Sequence, residues 1–300
     1  MSTNLRPPGA EHAGDPPTVA RSPWAHARTR FARNHAAVVS LALLVFIALA
    51  CVVGPWLLPH AYDETDWAKM GIAPTWQSWH WFGTDELGRD LLVRTLVGGR
   101  VSLTVGLLAT LVSVSVGVAW GAIAGFVGGR VDALMMRIVD ILYAIPYLLI
   151  AIMMVTVLGR DFYLVVLTIA AFSWMDMARV VRGQTLSIKS KEYIEAARAI
   201  GVPTARIVFM HVVPNLLGVV VVYTSITVPA VILTESVLSF LGLGVQEPMT
   251  SWGVLINDGA NVMASSPWMI WFPGLALTVT LYCANFIGDG LRDALDPQDH

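Results

Sequence analysis

Six stretches of this chain are apolar for long enough to cross a bilayer, near residues 36–58, 101–127, 133–158, 162–181, 215–240 and 268–288. A helix rises 1.5 Å per residue, so about 20 residues span the hydrocarbon core. In lipid every backbone N–H and C=O must find its partner inside the protein, and a continuous apolar run does so as a helix. The predicted class is therefore an all-α membrane protein with six transmembrane helices. Hydrophobic residues make up 56% of the chain and charged residues 13%, against about 25% charged in a soluble domain. That balance argues against a soluble protein with an oversized core. Only Gly159-Arg160-Asp161 separates the third run from the fourth.

Positive charge sets the expected orientation. Arg21, Arg28, Arg30 and Arg33 precede the first run, and Arg179, Arg182, Lys189, Lys191, Arg198 and Arg206 follow the fourth. An even number of crossings separates the two groups, so both fit on the cytoplasmic side, with both termini cytoplasmic. Residues 1–35 are expected to form a flexible cytoplasmic tail, 59–100 an extracytoplasmic loop, 101–290 the core domain with a hairpin at 183–213, and 291–300 a second tail. The first run is too long and too weakly terminated for a cleaved signal peptide. Trp56, Trp67, Trp76, Trp79, Trp81, Trp252, Trp268 and Trp271 all fall on the expected outer side, where an interfacial aromatic belt belongs. Cys51 and Cys283 both lie inside predicted spans, which speaks against a disulfide framework.

Three features within the spans stand out. Gly117, Gly121 and Gly125 recur every four residues and so form one helix stripe along which another backbone comes close. The sequence leaves open whether that backbone belongs to this chain. Pro146, Pro229 and Pro273 each remove a helix hydrogen bond and favour a kink. Glu235 lies toward the outer end of the fifth span, where an intramembrane carboxylate points to function. Glu235 and Pro229 are expected to line a translocation path or its outer gate. Asp140, Asp176 and Asp289 are placed near inner ends.

The chain lacks the phosphate loop G-x-x-x-x-G-K-[S/T], the zinc pair H-E-x-x-H and the nucleophile turn G-x-S-x-G. No catalytic residue is predicted. His60, His80 and His211 do not fall at metal-ligand spacing in the sequence, so no metal site and no cofactor bound by this chain are expected. The formal net charge of −2 carries no information about partners, and no nucleic-acid partner is expected.

Between the fourth and fifth spans lies a charged island with strong helix formers at 191–200. Ser190 is expected to cap this helix, with Glu192 at its positive end. Gly201 supplies the permissive backbone that ends it. Val202 is steered out of the helical region by Pro203, which suits the first turn of a second helix running to His211 and stopping near Pro214. Ala196 and Ala197 leave a surface of low relief, and Glu195 offers a carboxylate to a basic partner. A basic island on one face of an otherwise apolar protein is a place where a soluble partner can push.

Glu195-Ala196-Ala197, then Gly201 and later Pro214, resembles the EAA motif of ATP-binding-cassette importer permeases. His211-Val212-Val213-Pro214-Asn215 is similar to the peptide-permease branch. So are the segment from Phe82 to Asp90 and the C-terminal run from Leu238 to Gly244 with Phe272-Pro273-Gly274 and Gly288-Asp289-Gly290. The chain is identified as a member of the C-type permeases of dipeptide/oligopeptide importers. The resemblance implies the type I importer permease fold, in the bacterial inner membrane. It implies a homologous B-type permease, two cytoplasmic ATPase domains that hold ATP and Mg²⁺, an extracytoplasmic binding protein and membrane lipid as partners. It assigns ATPase coupling to Glu195, Ala196, Ala197, Arg198, Gly201 and Pro203. Related permeases carry nickel chelates, glutathione or other small solutes, so these remain alternatives, as does an ion-coupled secondary carrier.

Overall fold

The computed structural model describes residues 23–295. All regular structure among them is helical. Five helical segments are long and apolar enough to cross a membrane: His35–Leu57 (α2), Leu91–Val127 (α3), Phe162–Lys189 (α6), the continuous stretch Thr204–Phe240, and Trp268–Leu295 (α11). A bent pair, Gly129–Ala144 (α4) and Tyr147–Leu158 (α5), makes a sixth if counted as one span. The kink expected at Pro146 is thus a full break in the third span. Ile145 is forced extended, at φ −90° and ψ 129°, by the ring of Pro146, and the two halves meet at 83°.

Helix α3 starts ten residues before the expected span, and α6 ends eight residues after it. The loop expected at 59–100 is correspondingly shorter. Part of the expected N-terminal tail is also ordered. Pro23–Arg33 (α1) is a helix, and Asn34 then caps α2 by accepting the Ala37 N–H at 3.1 Å. α1 packs on α11, where Phe31 and Ala37 close over Gly290. Residues 1–22 and 296–300, the outer parts of the two expected tails, lie outside the described residues.

The centre of the molecule is the α3–α6 pair. The glycine stripe faces α6 of this same chain. A methyl group on Gly117 would lie 2.7 Å from the Trp174 carbonyl, one on Gly121 2.4 Å from that of Ala178, and one on Gly125 2.9 Å from that of Arg182. Backbone carbonyls cannot step aside as a flexible side chain can. Gly121→Ala should therefore lower stability by about 1–3 kcal/mol through overpacking. Gly218→Ala, where a methyl group meets nothing within 4 Å, should be neutral or mildly stabilising. Thermal unfolding of the detergent-purified proteins compares the two, and equal midpoints would refute the close-packing account.

The end of the molecule that carries α10 (Trp252–Asn261) is sealed by polar anchors. Trp252 is fully buried and donates its indole N–H to the Thr95 carbonyl at 3.0 Å, so it stands apart from the expected belt. Trp56 and Trp76 do stand about 80% exposed, as a belt requires. Asp90 caps α3 by accepting the Val93 N–H at 2.9 Å. Asp85 accepts the Arg89 Nε at 2.6 Å and the backbone N–H groups of Leu87 and Arg89, and lies 3.4 Å from the fully buried Arg94. Burial alone would lower the Arg89 guanidinium pKa, but its bonds to Asp85 and Glu247 hold it above the ordinary value. Burial pushes the nearby Asp258 carboxyl up, with Arg94 opposing.

Candidate functional site

At the opposite end lies a short helical hairpin. Its first helix is Glu192–Ala199 (α7), and its second begins as Thr204–Ile207 (α8). Gly201 joins them at φ +80°, the left-handed conformation in which only glycine is unstrained. Its N–H donates to the Arg198 carbonyl at 2.9 Å, and the Val202 N–H reaches back to Ala197 at 3.1 Å. These two bonds are the paired closure of a Schellman motif and satisfy the last carbonyls of α7.

Two local expectations change. Ser190 ends α6 instead of capping α7, because α6 continues to Lys189, and its hydroxyl donates back to the Ser187 carbonyl at 3.0 Å. The second helix does not stop near Pro214. It passes through a π-helical turn, Val208–Val212, into Val213–Phe240 (α9). A proline has no N–H for the carbonyl four residues back, and its ring crowds that carbonyl. Widening the preceding turn, with the Val213 N–H bonded to the Val208 carbonyl, lets the helix run on.

The hairpin has an inner and an outer side. Ile194, Ala197, Ile207, Val212 and Leu216 are buried in one cluster with Phe126 at the end of α3 and with Met177 and Val181 of α6. The Arg198 guanidinium sits 4.7 Å from the centre of the Phe126 ring, a cation–π contact that ties α7 to α3. Glu195, Ala196, Ala199 and Ile200 face outward, and Ile200 is 81% exposed. The structure therefore splits the expected alanine pair. Ala196 lies on the surface, whereas Ala197 fills a gap against the bundle. Pro203 is exposed at the turn. Phe209 and Met210, further along the same segment, are also exposed, at 74% and 65%.

A second concave feature lies between the α4–α5 bend, α6 and α9. This cavity of about 460 Å³ is lined by Tyr143, Pro146, Tyr147, Phe172, Asp176 and Tyr223, among others. Glu235 and Pro229 are buried elsewhere and do not line it. Glu235 accepts the hydroxyls of Ser102 at 2.9 Å and Ser239 at 2.7 Å, and Ser102 in turn accepts the Trp252 N–H at 3.3 Å. The expected path residue thus joins α3, α9 and α10. Its serines, one on a helix 133 residues away, gave no signal in the local sequence.

The fold also gathers histidines that are far apart in sequence. Potential ligand atoms of His60, His80 and Asp90 lie within 4.8 Å of one another. Both Asp90 oxygens are already engaged, one by the Val93 N–H and the other by the His80 ring at 2.8 Å. The two imidazoles stack at 4.4 Å with their planes 20° apart, so their lone pairs lie in separate, nearly parallel planes, a poor arrangement for binding one ion in common. The cluster is best explained as a clamp on the start of α3.

Residues 117–298 match the protein family described as "Binding-protein-dependent transport system inner membrane component", and residues 22–74 match "N-terminal TM domain of oligopeptide transport permease C". The chain is 54% identical over 279 residues to the oligopeptide transport system permease protein OppC of Haemophilus influenzae, covering 93% of this chain and 90% of that one. It is 57% identical over 279 residues to OppC of Escherichia coli K12, covering 93% and 92%. The dipeptide transport system permease protein DppC of Bacillus subtilis is 43% identical over 270 residues, covering 90% and 84%. A chain of the MetNI methionine ABC transporter, solved in inward-facing conformations, superposes with a TM-score of 0.56 at 18% identity, over 68% of this chain and 96% of that one. At that identity the likeness speaks for the fold alone.

Proposed function

This chain belongs to the family of binding-protein-dependent transport system inner membrane components, and on that premise we propose that it forms half of the path by which oligopeptides are imported. It is a multi-pass, non-catalytic permease subunit of a bacterial inner-membrane ATP-binding-cassette transporter. The observation that carries the oligopeptide reading is 54–57% identity to two OppC proteins over at least 90% of both chains. Membership in such a transporter implies ATPase and binding-protein partners. The finer assembly is a pairing with one homologous B-type permease, with two ATPase domains beneath and ATP and Mg²⁺ held on those chains.

Both termini are assigned to the cytoplasm, supported by Arg28, Arg30 and Arg33 ahead of α2 and by the basic residues from Arg179 to Arg206. On that orientation the α7–α8 hairpin meets the ATPases. Its outer side, Glu195, Ala196 and Ile200, contacts the motor, and its inner side passes the displacement to α3 and α6 through Ile194 and Phe126. Gly201 and Pro203 hold the turn. ATP binding can bias the bundle only through contacts that differ between two states, and this rigid lever supplies them.

Cells lacking only this chain should lose uptake of radiolabelled trialanine, and restoring the chain should recover it. Uptake should survive collapse of ion gradients while ATP is maintained. Trialanine uptake unchanged by the deletion, or abolished by ionophores at full ATP, would overturn the proposal in favour of another solute or an ion-coupled carrier.

A further inference from the structure

The cavity at the α4–α5 bend holds a carboxylate, Asp176, that forms no ion pair among the described residues. Asp176 stands toward the inner end of the apolar run 162–181, and because α6 continues to Lys189 it lies 14 residues from Phe162 and 13 from Lys189 along the helix. That is about 20 Å from either end of the helix. Asp176 is exposed into the cavity and accepts the Tyr143 hydroxyl. The two arginines that follow it on α6 pair with other carboxylates. Arg179 bonds Asp140 at 2.9 Å and stacks over the Tyr143 ring at 4.1 Å, and Arg182 bonds Asp132 at 2.6 Å. Among the described residues no cation lies within ion-pair distance of Asp176. An ionisable side chain that faces a cavity within a membrane-spanning helix, with no cation in ion-pair distance, leaves room for a partner from outside the chain.

Resting on the oligopeptide reading, we infer that Asp176, walled by Tyr143, Tyr147, Phe172 and Tyr223, receives the N-terminal ammonium of a peptide in transit. A path that serves peptides of varied sequence has to recognise what they share, and the α-ammonium is the one cation that every unblocked peptide carries. The aromatic walls fit this role twice. Their faces attract a cation, and their flat apolar surfaces accept side chains of any kind. The Tyr143 hydroxyl fixes the carboxylate while leaving lone pairs for a second donor.

Two measurements on the complete transporter in sealed proteoliposomes, with its binding protein, test this. Asp176→Asn still accepts the Tyr143 hydroxyl but carries no charge. Trialanine uptake should fall roughly tenfold in Asp176→Asn and stay near wild type in Asp176→Glu. Second, in the wild-type complex, trialanine should slow labelling of the Asp176 carboxyl by a hydrophobic carbodiimide, read by mass spectrometry, and N-acetyl-trialanine should not. Equal protection by both peptides, or by neither, would overturn the site. So would a carboxyl that resists labelling even without peptide, which would mean that a basic residue of the second permease already covers it. Wild-type complex that imports no trialanine defeats the oligopeptide reading itself. Import that is intact and indifferent to Asp176→Asn defeats only the ammonium site.

Discussion

Asp85→Ala should destabilise the protein by about 3–5 kcal/mol, the cost of stripping one partner from a buried charge pair. Asp85 and Arg89 are only 5% and 8% exposed at their side chains, and Arg94 is wholly buried. The Arg94 guanidinium nitrogens make no hydrogen bond to the described residues, so the nearby Asp85 carboxylate is the main compensation for a full charge in the interior. The same carboxylate holds the Leu87 and Arg89 N–H groups and so shapes the turn leading into α3. Its loss leaves Arg89 and Arg94 close together with only Glu247 and Asp258 to offset them. Glu247→Ala is the matched control. Glu247 also bonds Arg89, at 2.9 Å, but its side chain is 59% exposed, so its removal should change stability by less than about 1 kcal/mol. Thermal unfolding of the detergent-solubilised proteins ranks them, and an Asp85→Ala midpoint equal to that of Glu247→Ala would refute the buried-charge account.

That ion cluster also explains where the sequence could be read and where it could not. Hydropathy located the cores of α2, α6, α9 and α11 because each is an uninterrupted apolar run. It missed the first ten residues of α3, since Arg94 and Arg100 break the pattern. In the fold Arg94 is compensated by Asp85, and Arg100 donates to the Cys51 and Val52 carbonyls at the end of α2. The glycine stripe was legible as a close-contact face, because spacing alone defines a helix stripe. Its partner was not, because α6 carries no matching pattern and presents its carbonyls. Pro146 announced a kink, but its 83° angle depends on how α5 packs against α6. The seat of Glu235 and the meeting of His60 with His80 rest on contacts between residues far apart in the chain. The hairpin was the most legible element, because Gly201 and Pro203 act on their immediate neighbours. Even there, the inward turn of Ala197 and the seating of Arg198 on Phe126 needed the third dimension.

Gly201→Pro should leave the chain in the membrane and cut transport by roughly two orders of magnitude, if coupling at this hairpin has the upper end of the usual 1–3 kcal/mol range. Proline is locked near φ −65° and cannot adopt the +80° that the turn requires. It also has no N–H to donate to Arg198, and it drives the preceding residue out of the near-helical conformation of Ile200, at φ −85° and ψ 7°. The closure of α7 would open, and Glu195, Ala196 and Ile200 would no longer share one rigid outer face. The inner cluster around Ile194, Ile207 and Phe126 does not involve residue 201, so insertion and the bundle should persist. Gly201→Ala separates strain from simple replacement. A methyl group there meets nothing within 4 Å, and the left-handed backbone costs it only about 1–2 kcal/mol, so much of the transport should remain. Trialanine uptake normalised to membrane-inserted protein gives the result, with peptide-stimulated ATP hydrolysis in the complex as a second readout. If Gly201→Pro transports as well as Gly201→Ala, the hairpin is not the lever that joins this permease to its motor.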